Sequence, residues 1–298
     1  MNILRGRRDD GTNSAIGLLI VSSVLWGSGF VAVKIGLNYI NPFVFAFLRM
    51  GVAGVIQLGV LMSLGGVRLQ TLKEKSVWAL GLLNAVGFTL QFVGMQFTTA
   101  AKTALLIDMN VVFVALLSKR FSDESFGLRK QLGVVLGIVG AVMITTGGDL
   151  STLTQGQLLG DGLVFSAGLV WAGFMVLHKY EQTRHEWNAV ELSALVMLMT
   201  AVLLIPGALV LGGVNAAPIT TIGWEWVAYI AIATTVVPYA IWIVALRAVT
   251  ATIAAVVGMV EIITTMILSS LLLGETYGTV TLVGAILVLL SLMAVAEI

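Results

Sequence analysis

Leu25-Trp26-Gly27-Ser28-Gly29-Phe30, with Lys34 just beyond, has a near copy in Val170-Trp171-Ala172-Gly173-Phe174 with Lys179. The tryptophans and the lysines of the two stretches are each 145 positions apart. Further on, Asp123-Glu124 returns as Gly274-Glu275, 151 positions later. Long apolar runs fill the space between these markers in both halves. Two matching sets of apolar helices, joined near residue 150, are the pattern of a membrane protein built from a duplicated unit, with any binding site where the units meet.

Composition places both units in a bilayer. Hydrophobic residues make up 58% of the chain and charged residues 10%, against about 25% charged in soluble domains. Mean hydropathy is +1.03. A run of about 20 apolar residues crosses the hydrocarbon core as a helix. Helix is required there because no water satisfies the backbone. The alternation of a membrane barrel strand is absent. The pattern predicts an all-α membrane protein of ten spans, over 15–35, 42–64, 77–97, 101–118, 131–147, 158–178, 189–211, 224–246, 250–272 and 280–296. Domain boundaries follow: a cytoplasmic tail over 1–14, a first five-helix repeat over 15–148 and a second over 158–298. The apolar stretch after the first charges has no small-residue cleavage site closing a short core, so it reads as a retained span and not a signal peptide. The chain has no cysteine, which removes disulfides and thiol chemistry, and its formal net charge of +1 predicts no nucleic-acid partner.

Basic residues orient the bundle. With the N-terminus inside, thirteen Lys and Arg residues fall on cytoplasmic segments; only Lys34 and Lys102 fall outside, and Arg49 lies within a span. The positive-inside rule then puts both termini in the cytoplasm. Five spans is an odd number, so the second unit starts from the opposite side and the repeats are inverted.

Charged groups inside spans are costly, about 2.5–3.5 kcal/mol each at the centre. Three stand out. Arg49 and Asp108 each lie about seven residues below the outer end of their spans, roughly 10 Å deep, and are expected to pair. Glu261 lies near the midplane without an evident cationic partner. A carboxyl at that depth favours its neutral form, and is able to carry a proton or hold an amine. Around these, Asn84, Gly87, Gln91 and Gly94 share one face of the third span. Pro238, Tyr239 and Trp242 occupy the matching stretch of the eighth, where Pro238 permits a bend. Trp26, with Ser22 and Gly29 on its face, and its counterpart Trp171 are mid-span rather than interfacial. His178 and His185 are read as solvated groups at a cytoplasmic helix end. No metal cluster, hydrolase elbow, zinc-protease helix or phosphate loop is present, so neither an enzyme nor a cofactor is expected.

Taken together these residues resemble the drug/metabolite transporter superfamily, EamA branch, over nearly all of 14–296. The resemblance rests on the Leu25–Phe30 stretch, Pro42 with Arg49, Gly160-Asp161, Trp171-Ala172, and Glu261 before Gly274-Glu275. It implies a basket of ten helices with a central cavity, lined largely by the first, third, fourth, sixth, eighth and ninth spans. It also implies transport of small organic metabolites, usually export, across a prokaryotic cytoplasmic membrane. Ile262 and Val111 stand where the family usually has proline, so straighter fourth and ninth helices are expected. The implied cavity would offer Trp26, Trp171, Tyr239 and Trp242 as aromatic surfaces. Asn84, Gln91 and Asn110 would be its amides, and Arg49, Asp108 and Glu261 its coupling or ion-pair groups. That mix suits an amino acid or amine and not a phosphate. Proton coupling, an uncoupled facilitator and a non-transporting membrane scaffold are the competing readings. The short tail and the absence of a long charged loop speak against the scaffold. A monomer or weak homodimer is expected.

Overall fold

The computed structural model describes residues 3–63, 69–121, 127–148, 157–184, 188–212, 218–245, 248–249, 254 and 257–295. Asp123-Glu124, His185, Arg247 and the start of the ninth expected span lie outside the described residues. Among those described, the structure is entirely helical. The first half holds α1 (Ile3–Gly36), α2 (Pro42–Ser63), a short 3-10 turn (Leu69–Lys73), α3 (Lys75–Gly94), α4 (Ala100–Asp108), α5 (Asn110–Phe121) and α6 (Leu128–Thr146). The second holds α7 (Gln157–Arg184), α8 (Ala189–Val210), α9 (Thr221–Ala228), a π-helical stretch (Tyr229–Val236), α10 (Val237–Ala245), α11 (Val260–Leu273) and α12 (Thr279–Val295).

Among the described residues, six helices are long and apolar enough to cross a membrane: Asn13–Gly36, Pro42–Ser63, Lys75–Gly94, Leu158–Glu181, Val190–Val210 and Thr221–Ala245. Shorter apolar helices, Gln131–Thr146, Val260–Leu273 and Thr279–Ala294, stand with them. Helix ends carry local signals. Thr99 Oγ1 accepts from Lys102 N at 3.2 Å, Asn188 Oδ1 from Val190 N at 3.0 Å and Thr220 Oγ1 from Gly223 N at 3.2 Å, each satisfying an orphan donor of a first turn. Gly147 and Gly274 end α6 and α11 with φ of 60° and 68°, a conformation glycine adopts without steric cost. The outer surface is apolar: Leu132, Val135, Ile138 and Val142 lie exposed along α6. Such a face suits lipid, where exposed hydrocarbon carries no hydration penalty.

Two helices break where straight ones were expected. The fourth expected span is divided at Met109 into α4 and α5, because the Met109 carbonyl accepts from Val112 N at 3.0 Å as well as from Phe113 N at 3.2 Å. The tighter bond closes a turn without proline. Met259, before α11, accepts from Ile262 N at 3.1 Å in the same way. The eighth expected span winds through the π-helical stretch just before Pro238. Proline supplies no N–H to the preceding turn, and a wider register is one way to re-satisfy the backbone. Thr235 Oγ1 donates to Ile230 O at 2.7 Å inside that stretch.

Helices pack closely where glycines meet. A Cβ on Gly140 would lie 2.8 Å from Gly284 O, and one on Gly284 2.9 Å from Gly140 O, which brings α6 onto α12. Gly94 and Gly160 do the same for α3 and α7. Small residues allow backbones this close in lipid. Beyond these pairs, α2 packs on α8, α1 on α10 and α11, α7 on α4 and α5, and α4 on α11. One core cluster, which includes Phe45, Phe92, Met95 and Val164, joins α1, α2, α3, α4, α7 and α8.

Candidate functional site

The glycines of the opening motif set its geometry. A Cβ on Gly27 would lie 2.5 Å from Glu261 O, and one on Gly29 3.1 Å from Thr234, so α1 lies directly against α11 and the π-helical stretch. Thr265 Oγ1 donates to Gly27 O at 3.0 Å and holds the first contact. Between these residues is Trp26, which faces a central cavity of about 420 Å³. On the opposite wall a Cβ on Gly87 would lie 1.8 Å from Trp171 Nε1. Only glycine admits the Trp171 indole at that point of α3, and Phe88 meets the same ring edge-on at 5.0 Å.

Nine of the ten expected site residues line this cavity. Trp26, Arg49, Asn84 and Gln91 come from α1, α2 and α3; Asp108 and Asn110 flank the Met109 turn; Trp171, Tyr239 and Glu261 come from the second half. Trp242 does not line it. Its ring packs behind Trp26, centroids 4.9 Å apart, and joins a cluster with Leu19 and Ala245. The expected Arg49–Asp108 ion pair is not formed either. Arg49 Nε donates to Thr235 Oγ1 at 3.0 Å and its guanidinium lies 4.9 Å from the centre of the Phe88 ring. The π-helical stretch presents Thr235 to it. Arg49 and Asp108 nonetheless both act electrostatically on Glu261.

Three buried side-chain atoms lack a hydrogen-bond partner among the described residues: Gln91 Oε1, Asn110 Oδ1 and Trp171 Nε1. All three residues line the cavity. Gln91 is 3% and Asn110 5% exposed. Leaving a buried acceptor or donor unpaired costs about 1–3 kcal/mol, so their shared location singles out this cavity as the candidate site. Asn84, by contrast, is engaged, with Nδ2 donating to Thr200 Oγ1 at 3.1 Å.

The cavity reaches toward one end of the bundle, where it is lined by His178, Ser193 and Tyr239. His178 is half-buried there and stacks near Phe174, so it is not the solvated surface group expected from its place near a helix end. Thr234 and Thr235 also line the cavity and were not singled out in the sequence. Paired threonines three residues before an intramembrane proline were the available signal. At the other end the connections close over the cavity. Lys34 Nζ donates to Met95 O and, at 2.6 Å, to Thr98 O. Lys102 Nζ lies 3.1 Å from Asp161 Oδ2, an ion pair. Tyr277, in the connection after α11, lies 3.4 Å from Glu275 Oε2. Burial, reinforced by the Glu275 charge, pushes its phenol up to about 12, so it stays a donor at neutral pH.

An all-helical bundle with an apolar outer surface and a polar, partly unsatisfied cavity inside defines a multi-pass membrane protein of the transporter type. The EamA-like transporter family model matches residues 13–146 and again 158–296, and the chain belongs to that family. It is 28% identical to an uncharacterised transporter of Archaeoglobus fulgidus over 91% of this chain and 93% of that one. With the uncharacterised transporter YyaM of Bacillus subtilis it shares 24% over 94% and 93%. A solved crystal structure superposes with a TM-score of 0.66 over 95% of this chain and 96% of its own, at 14% identity, a likeness of fold.

Proposed function

We propose that the chain is a secondary transporter that moves an amino acid or amine-like metabolite across the cytoplasmic membrane of a prokaryote, outward, by alternating access. The observation that carries this reading is the coincidence, in one cavity between the halves, of three buried polar atoms and three charged side chains that have no hydrogen-bond partner and no direct ion pair, respectively, among the described residues. Asp108 and Glu261 offer anionic charge to an ammonium group, and Trp26, Phe88, Trp171 and Tyr239 offer ring surfaces for it and for an apolar body. Arg49, already engaged by Thr235 and Phe88, serves an accompanying carboxylate.

Alternating access by two inverted five-helix repeats is supported by the packing. Exchanging the halves turns α3 on α7 into α10 on α1, and α1 on α11 into α7 on α4 and α5; both members of each pair occur. The pairs α2–α8, α6–α12 and α4–α11 map onto themselves, as they would about a two-fold axis. With both termini cytoplasmic, the end closed by Lys34 and Lys102 is the outer end and the cavity reaches the cytoplasm. Glu261 is the coupling group in this reading, loading a proton from one side and releasing it to the other. A panel of amino acids, amines and nucleosides, screened by thermal shift and then by flux in proteoliposomes, tests the assignment. Stabilisation and flux confined to ligands with an amine support it; a response only to anionic or uncharged ligands contradicts it.

A further inference from the structure

We propose that Lys34, Lys102, Asp161 and Glu275 form a latch that holds the outer end shut and makes the cytoplasm-facing conformation the resting state. The inference rests on the alternating-access reading above and assigns the groups that bias it. Lys34, at the end of α1, places its ammonium on the Met95 and Thr98 carbonyls, where α3 ends and its dipole favours a cation. Asp161, near the start of α7 and 2% exposed, accepts from Thr98 Oγ1 and from Lys102 Nζ. Lys102 also donates to Thr145 O at 3.1 Å, near the end of α6. Glu275 takes the first turn of α4 from the side: Oε1 accepts from Ala100 N at 2.7 Å and Oε2 from Ala101 N at 3.2 Å. Four elements of the first half are thereby tied to α7 and to the α11–α12 connection of the second. Every charge in the set is directly satisfied, and breaking such a pair leaves a buried charge uncompensated.

The repeat relation does not carry this ion pair over to the counterpart positions of the other half. Lys34 and Glu275 have counterparts in Lys179 and Glu124. The ion pair does not: Thr98, Lys102 and Asp161 correspond to Val249, Ile253 and Ile16. The positions that form this ion pair thus have only apolar counterparts in the other half, which biases the two-state equilibrium toward the state locked by Lys102 and Asp161.

The chain has no native cysteine, so spin labels on Gln96→Cys and Thr276→Cys, both exposed at the outer end, report the distance between halves in liposomes. The otherwise unaltered chain gives one short population. Lys102→Met and Asp161→Asn each raise the ratio of open to closed by about tenfold, and Lys102→Arg keeps the short population. Unchanged distances in both neutral variants, in protein that still melts cooperatively, overturn the latch. An equal opening in Lys102→Arg also overturns it, since the charge would then not be what matters. Amine flux on the same vesicles reads the transport assignment separately: opened distances without any flux keep the latch and remove that assignment.

Discussion

The end closed by Lys34 and Lys102 and the cavity use the same kinds of side chain in opposite ways. At the closed end Lys102 meets Asp161 at 3.1 Å, and Glu275 accepts two backbone N–H groups. In the cavity Arg49 turns to a threonine hydroxyl and a phenyl ring, while Asp108 and Glu261 make no direct ion pair among the described residues. Both regions are largely shielded from water, so the difference is one of satisfaction and not of burial. Charges that hold a structure are closed off by near neighbours; charges that serve a ligand stay available to one. Membrane burial makes the second arrangement expensive, and the cavity carries three such groups.

Substitutions in the two regions should therefore fail in different ways. The largest effect is expected in the cavity: Asp108→Asn or Arg49→Met lowers substrate flux by about 10- to 100-fold, the worth of one charged hydrogen bond, with the melting temperature little changed. Flux that survives intact would erase the distinction between the regions. Asp161→Asn, at the closed end, instead costs about 1–3 kcal/mol of stability, read as a lowered melting temperature. Gly87→Ala drives a methyl into the Trp171 indole and costs a comparable 1–3 kcal/mol. It also pushes that ring into the cavity, so bulky ligands lose affinity before small ones in a thermal-shift series. Asn110→Leu removes an unpartnered acceptor. Stability stays level or rises by up to about 1 kcal/mol while affinity falls about tenfold; a clear loss of stability would mean that Asn110 is structural after all. The smallest effect belongs to Trp242→Phe, which trims a ring behind Trp26 and leaves ligand preference unchanged, at a cost under about 1.5 kcal/mol.

Much of this was legible in the residues, and the limits have physical causes. Apolar runs near 20 residues announce helices because lipid permits little else, and α2, α3 and α8 begin and end within a few residues of where those runs do. Trp26, Trp171 and Glu261 stand out because tryptophan and carboxylate at mid-span need a reason. The break at Met109 was hidden, since an i to i+3 bond needs no marker residue. His178 was misread because its surroundings depend on how far the cavity extends, a property of six or more helices at once. The same holds for Trp242, where the face of α10 is set by the π-helical turn before it and not by regular helical spacing. The partner of Arg49 is the clearest case: depth alone matched it to Asp108, but the wider π register puts Thr235 in its path.

The central claim is that the cavity carboxyl of Glu261 couples transport to protons, whereas the carboxyls of Asp161 and Glu275 at the closed end, satisfied by near neighbours, do not. Accumulation of an amine substrate in proteoliposomes, with and without an imposed pH gradient, tests it in the unaltered chain and in Glu261→Gln. The amide is neutral, costs less to bury than a carboxylate and cannot titrate. The account predicts that Glu261→Gln folds, binds and exchanges substrate, yet no longer accumulates it when the gradient is applied. Accumulation equal to that of the unaltered chain would contradict it and leave an uncoupled facilitator in its place.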